Sequence, residues 1–222
     1  MNEDVRETFH SAEYDEYYAS LDAKTKAKYD YVEAIIKTQY VVNKKFVKNL
    51  EGTEFYEARI SVGTNEHRTI VFAIDSISFM ESKRVLFLNS FLKKDTKQYK
   101  GEIETARQIL NKYIQGGQED DKAWRKKLAG LKTGSQHLAE TYGEKGTPRR
   151  EEFEAKAKAW YYAELLRDER KRQKLTQQQL GERIGKKREY ISALEQGQTD
   201  MQLSTFMLIA NALGLRFSLV VG

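Results

Sequence analysis

The sequence predicts an α+β chain in two parts: a small antiparallel sheet with helices, then an all-helical unit that ends in a short strand. Three observations carry this. Residues 55–75, FYEARISVGTNEHRTIVFAID, hold two alternating runs joined by the Gly/Asn-rich VGTNE, and RVLFLNSF follows as a third run, the pattern of half-buried strands. Residues 175–197, LTQQQLGERIGKKREYISALEQG, show helical spacing on both sides of a glycine turn. The length, 222 residues, suits two modest domains of roughly 100–200 residues each.

Taken in order, VRETF near the start reads as a short strand. Residues 15–41 read as two helices, one with Tyr17, Tyr18 and Leu21 on its apolar face, the other with Tyr31, Ile35 and Ile36. After NLEGTE come the three strands, and ETARQILNKYI at 104–114 closes a first domain, residues 1–114, as a helix. QGGQEDDK at 115–122 has no apolar residue and reads as a linker. The second domain is then 123–222. Its residues 123–142 read as loose helices, and GTPRREEF at 146–153 opens a firmer one. Thr147 can cap that helix, Pro148 suits its first position, and Glu151 and Glu152 favour the positive end of its dipole. At the far end RFSLVV alternates, with Phe217, Leu219 and Val221 on one face. A lone strand cannot satisfy its backbone, so it must pair. The simplest partner is the same strand of a second copy, giving a homodimer; the other is the chain's own sheet.

Composition narrows the chemistry. There is no cysteine, which excludes disulfides and thiolate sites. His10, His67 and His137 lie far apart and show no metal-ligand spacing, so no metal and no cofactor are expected. Apolar runs such as TIVFAI are too short for a bilayer, and MNEDVRETFH is unlike a signal peptide, so a cytoplasmic protein without membrane contact is expected. Residues 1–113 carry 18 Lys+Arg against 18 Asp+Glu, and residues 114–222 carry 20 against 15, so the net +5 belongs to the second half. Within the first half, residues 37–100 hold 12 basic and 7 acidic side chains, a portion suited to a polyanion.

In the glycine-turn stretch, Thr176 and Gln179 make a capping box. Leu180 and Ile184 face inward, Gly181 is small enough for a second helix to cross closely, and Gly185 permits the left-handed backbone that ends the first helix. Ile191 and Leu194 anchor the second helix. The cluster Lys186–Arg188 stands where a recognition helix sets its first side chains against base edges and phosphates. Residues 160–215 resemble the Xre/Cro-type helix-turn-helix through TQQQLGERIG, EYISALEQG and LSTFMLIANALGL. GTPRREEF and RFSLVV resemble the HigA-type antitoxins in particular. The resemblance implies that Gln177 bonds a phosphate or base of operator DNA. It also implies that Lys187, Arg188 and Glu189 present to the major groove, flanked by Tyr190 and Ser192, with Lys186 beside them among the DNA-binding residues. Arginine can grip guanine through two hydrogen bonds, while lysine mostly supplies charge.

In the first half, FYEARIS puts Tyr56, Ala58 and Ile60 on one face and Phe55, Glu57 and Arg59 on the other. His67 and Arg68 precede TIVFAI, and Lys93 and Lys94 follow the third strand. On one antiparallel sheet an acid, two arginines, two lysines and a histidine would converge over one face. Such a set suits phosphodiester cleavage without a metal: an acid or lysine takes the 2′-OH proton, arginines neutralise the phosphorane, and a cation assists the leaving oxygen. The other reading is the charged outer face of a half-buried sheet. About residues 5–113, LEGTEFYEARISVGTNEHRTIVFAID with LFLNSFLKKDTKQYKGEIETA is similar to the HigB-like branch of the RelE toxin superfamily. These are small α+β endoribonucleases that cleave mRNA, commonly on the ribosome. The resemblance implies that Arg59 and Arg68 bind the phosphate and that Lys93 and Lys94 assist as cations or in proton transfer. Glu57 is then a base or the salt-bridge partner of a neighbouring arginine, and His67 a spectator. The chain reads as a toxin–antitoxin module, its halves pairing within or between chains, the antitoxin repressing its own promoter. A second reading is a transcription regulator whose toxin-like half is inactive and only binds a partner.

Overall fold

The three alternating runs form the middle of a sheet. In the computed structural model, which describes residues 4–113, 126, 128–197 and 199–216, β3 (Phe55–Val62), β4 (Asn65–Ala73) and β5 (Arg84–Leu92) pair antiparallel in turn. Gly63, at φ +62°, supplies the left-handed residue that a two-residue hairpin turn needs. Three more strands extend the sheet to six among the described residues. β1 (Glu7–His10) lies beside β5, β2 (Val47–Asn49) pairs with β3, and β6 (Lys132–Thr133) adds to β1, giving the order β2-β3-β4-β5-β1-β6. The sheet is mixed rather than purely antiparallel as the sequence predicts, because β1 runs parallel to β5. Parallel neighbours need a long crossover, and α1 (Ala12–Ala19) and α2 (Ala23–Thr38) supply one after β1.

Alternation sorts the two faces. Phe55, Ile70, Leu86, Leu88 and Phe91 form a core with Ala106, Ile109 and Leu110 of α3 (Gln98–Tyr113). That helix begins before the expected residue 104, since Asp95 Oδ1 accepts from the backbone N–H groups of Lys97 and Gln98 at 2.8 and 3.0 Å. The opposite face meets α1 and α2, with Tyr14, Tyr29, Ile35 and Ile36 buried. Arg6 is 1 % exposed and donates to five carbonyls, those of Phe79, Ile36, Gln39, Tyr40 and Met80, at 2.7–3.2 Å.

Helix α4 (Gly134–Tyr142) packs on α2 through polar contacts. A Cβ on Gly134 would stand 2.0 Å from both Glu33 Oε1 and Thr8 Oγ1, so only glycine lets the helix start there. Asp30 accepts from His137 Nε2 at 2.8 Å and from the Tyr142 hydroxyl at 2.6 Å, and the Lys37 ammonium donates to Ser135 Oγ at 2.8 Å. His10 Nε2 lies 2.8 Å from Glu33 and Nδ1 3.1 Å from Asp15. Burial opposes charge on His10, but Glu33 and Asp15 outweigh it and raise its pKa to about 9. Glu33 is likewise opposed by burial, yet His10 holds its pKa down to about 2.

These contacts draw a compact unit of residues 1–154, followed by a second of residues 155–222. The expected linker at 115–122 and the alternating Phe217, Leu219 and Val221 lie outside the described residues. Helix α5 (Pro148–Arg172) is unbroken, with Pro148 at its first position as expected. The Thr147 hydroxyl does not cap it and donates instead to the Glu144 carbonyl at 2.7 Å. In the second unit, α6 (Gln177–Arg183), α7 (Arg188–Glu195) and α8 (Leu203–Ala212) join the end of α5 around Leu166, Leu180, Ile191, Leu194, Ile209, Ala210 and Leu213. Among the described residues no helix is long and apolar enough to cross a membrane.

Candidate functional site

Two groups of side chains stand out, one in each unit. In the second unit the capping box forms in both directions: Thr176 Oγ1 accepts from Gln179 N at 3.1 Å, and Gln179 Oε1 from Thr176 N at 2.8 Å. Gly181 is needed for the turn rather than for a crossing helix, since a Cβ there would stand 2.5 Å from the Lys186 carbonyl oxygen. Gly185, at φ +67°, ends α6 as expected. The chain then enters α7 with Lys187 as N-cap residue.

Lys186, Lys187, Arg188 and Glu189 are all exposed on or beside the first turn of α7. The Lys186 ammonium lies over the Tyr190 ring at 5.5 Å, and Tyr190 OH donates weakly to Thr205 at 3.4 Å. Ser192 Oγ accepts from Gln196 at 3.1 Å. Gln177 donates to Glu195 Oε2 at 2.8 Å, so its amide is engaged inside the fold. Sequence reasoning missed what holds these helices together. Arg170 grips Glu195 through two bonds, 2.6 and 2.8 Å, with both side chains buried, and donates to the Leu175 carbonyl at 2.5 Å. The signal was available: Glu195 falls on the same helical stripe as Ile191 and Leu194, where a solvated residue does not belong.

In the first unit, strand register brings part of the predicted set together. Arg59 lies opposite Arg68, Glu57 opposite Ile70, and Arg68 opposite Phe91, so Glu57, Arg59 and Arg68 share the face beneath α3. Lys93 N bonds the Glu66 carbonyl at 2.8 Å, which sets Lys93 at the end of β5 near Arg68, with Lys94 exposed beyond it. His67 does not join them. It registers with Ile60 and Leu92 on the opposite face and hydrogen-bonds Tyr17 OH at 2.9 Å, where burial lowers its pKa.

Glu57, 4 % exposed, is the centre of the cluster. Arg59 Nε stands 3.3 Å from its Oε1 and Arg68 Nε 3.6 Å from its Oε2. Tyr99, in the first turn of α3, donates its hydroxyl to Oε2 at 2.5 Å. Burial and then Glu57 push the Tyr99 pKa up to about 12. Arg68 also donates to Glu66 Oε2 at 2.9 Å and to the His67 carbonyl at 2.7 Å. Tyr99 and Glu66 escaped the sequence reading, Tyr99 because its helix was expected to start further on. Among the described residues no group of three His, Asp or Glu could hold a metal.

Compared with known proteins, residues 166–220 match a family model described as helix-turn-helix. No curated protein and no solved structure matches the chain. The match agrees with the packed helices described there, and with Lys187 and Arg188 in solvent at the head of α7 it suggests a DNA-binding helix-turn-helix.

Proposed function

We propose that the chain is a toxin–antitoxin module in one polypeptide. Its helix-turn-helix binds operator DNA at the promoter of the module itself, and its N-terminal unit is a RelE/HigB-like endoribonuclease that cuts mRNA on the ribosome without a metal. The observation that carries the operator reading is the exposed first turn of α7, which sets Lys187, Arg188 and Glu189 on a packed helix-turn-helix core. A homodimer would place two such helices in successive major grooves, roughly 34–36 Å apart on a palindromic site. Both targets, translated mRNA and the operator, are cytoplasmic in a bacterium-like cell plan.

Arg188→Ala should weaken binding to the promoter duplex by about 1–3 kcal/mol and leave non-specific binding little changed, because a bidentate base contact carries discrimination. Fluorescence anisotropy with the promoter duplex and a scrambled duplex measures this; equal losses on both would place Arg188 on phosphate instead.

The nuclease reading is supported by Glu57, Arg59 and Arg68 sharing one face with Lys93 and Lys94 at its end. In a translation extract, cutting of a reporter mRNA should fall at least about tenfold in Lys94→Ala, the loss of one transition-state contact. Unchanged cutting in Arg68→Ala/Lys94→Ala removes this face from the chemistry. One observation favours the second reading, a regulator with an inactive toxin-like unit: the Arg68 side chain is 2 % exposed and already ion-paired to Glu57 and Glu66.

A further inference from the structure

We propose that Glu57 is the chain's own occupant of an anion seat between Arg59 and Arg68, and that the first turn of α3, through Tyr99, closes this seat against RNA. The inference rests on reading the N-terminal unit as a phosphodiester-binding site, and it assigns Glu57 to regulation of that site rather than to proton transfer.

The geometry of the two arginines carries it. A phosphodiester needs guanidinium N–H groups that face it with good hydrogen-bond geometry. Here the Nε groups of both Arg59 and Arg68 are buried and have no hydrogen-bond partner among the described residues, although each lies within 3.6 Å of the Glu57 carboxylate. Buried N–H groups rarely go unbonded, because the desolvation cost is not recovered. The carboxylate therefore neutralises the pair without saturating its donors, and an anion with more oxygens can do better. The Arg68 side chain is only 2 % exposed, so nothing reaches it while the cover stays in place.

Tyr99 is that cover. Its hydroxyl holds the carboxylate at 2.5 Å, and its ring meets Phe91 edge-on at 5.4 Å; Phe91 is the strand neighbour of Arg68. The turn that carries Tyr99 follows directly on Lys93 and Lys94, which lie just past the end of β5, where Lys93 N bonds the Glu66 carbonyl, and form no ion pair among the described residues. A phosphate chain that binds these lysines pulls on the segment holding Tyr99 and competes with Glu57 for the arginines. The local bonds of that segment, Asp95 to Lys97 N and Gln98 N, and Gln98 Oε1 to Lys94 N, break and re-form without disturbing the sheet.

The test is anisotropy of a fluorescein-labelled 12-nucleotide single-stranded RNA with the full chain, every protein carrying Lys187→Ala/Arg188→Ala so that the helix-turn-helix contributes little. Tyr99→Phe and Glu57→Gln should each tighten binding at least about threefold, the effect of removing one competing hydrogen bond of ordinary worth. Adding Arg59→Ala/Arg68→Ala should abolish the gain. A tyrosine or glutamate with a merely structural role loses binding when replaced and does not gain it. Hydrogen exchange in the unsubstituted chain reads the same motion without a variant: residues 98–102 should exchange faster when RNA is added. If RNA binds through the arginines but Tyr99→Phe and Glu57→Gln bind as the parent does, the closure is wrong and the phosphodiester reading stands. If no variant binds RNA, both fall.

Discussion

Replacing Arg6 by alanine should destabilise the N-terminal unit by about 3–5 kcal/mol, because several carbonyls lose their donor and each buried unmet group costs about 1–3 kcal/mol. The guanidinium donates to five carbonyls from two places in the chain, the end of α2 (Ile36, Gln39, Tyr40) and the loop at Phe79 and Met80. Alanine would leave the buried Phe79 and Ile36 carbonyls without this donor and the other three partly buried, and each unmet buried group carries its own desolvation cost. Three of the carbonyls lie at the end of α2, where a cation also meets the negative end of the helix dipole. Arg6→Lys should recover only part of the loss, because an ammonium has three donors and no planar fork. Urea unfolding of the full chain followed by circular dichroism measures the shift in the first unit's transition. A loss below about 1 kcal/mol would mean that water takes over the carbonyls, and the packing argument for Arg6 would fail.

The second large effect is expected at Arg170. Arg170→Ala leaves the buried Glu195 carboxylate with Gln177 as its one remaining side-chain partner among the described residues, and breaking such a pair from one side costs about 3–5 kcal/mol. In a unit of residues 155–222, with one small core, that is enough to unfold the helix-turn-helix at moderate temperature. Promoter binding would disappear together with the helical signal. Arg188→Ala should behave differently, weakening binding while the circular dichroism spectrum stays the same. Replacing both members of the pair, Arg170→Met with Glu195→Leu, should restore most of the stability, since no charge is then left unpaired. Wild-type melting in Arg170→Ala would show that the pair does not hold the unit together.

Much of the fold was legible because local rules wrote it. The capping box at Thr176, the glycine-bearing turn between β3 and β4, the left-handed Gly185 and Pro148 at the head of α5 act within a few residues of chain, and each is found where the sequence put it. Alternation likewise placed Glu57, Arg59 and Arg68 on one face. It could not place His67 correctly beside them, because the expectation treated an adjacent residue as sharing the face of Arg68, whereas neighbours on a strand point to opposite sides. The helix-turn-helix was the most legible part, since its spacing, its glycines and its cations all fall within one short window, and that window lies inside the stretch that matches a family model.

What the sequence determined by itself, then, is the three central strands and most of the helices, which faces are apolar, and a helix-turn-helix pattern in residues 160–215 that overlaps the family match at 166–220. The tertiary structure alone decided the partners of the charged and polar side chains. Arg170 meets Glu195 across 25 residues, Tyr99 meets Glu57 across 42, and His137 meets Asp30 across 107. It also decided that the chain on both sides of residue 134 packs with the first unit, where Gly134 is the only residue that fits against Glu33 and Thr8. The reason is physical. Periodicity is a property of one segment and says which way a side chain faces, whereas an ion pair or a close backbone approach depends on how two distant segments register, and a single sequence carries no record of that register.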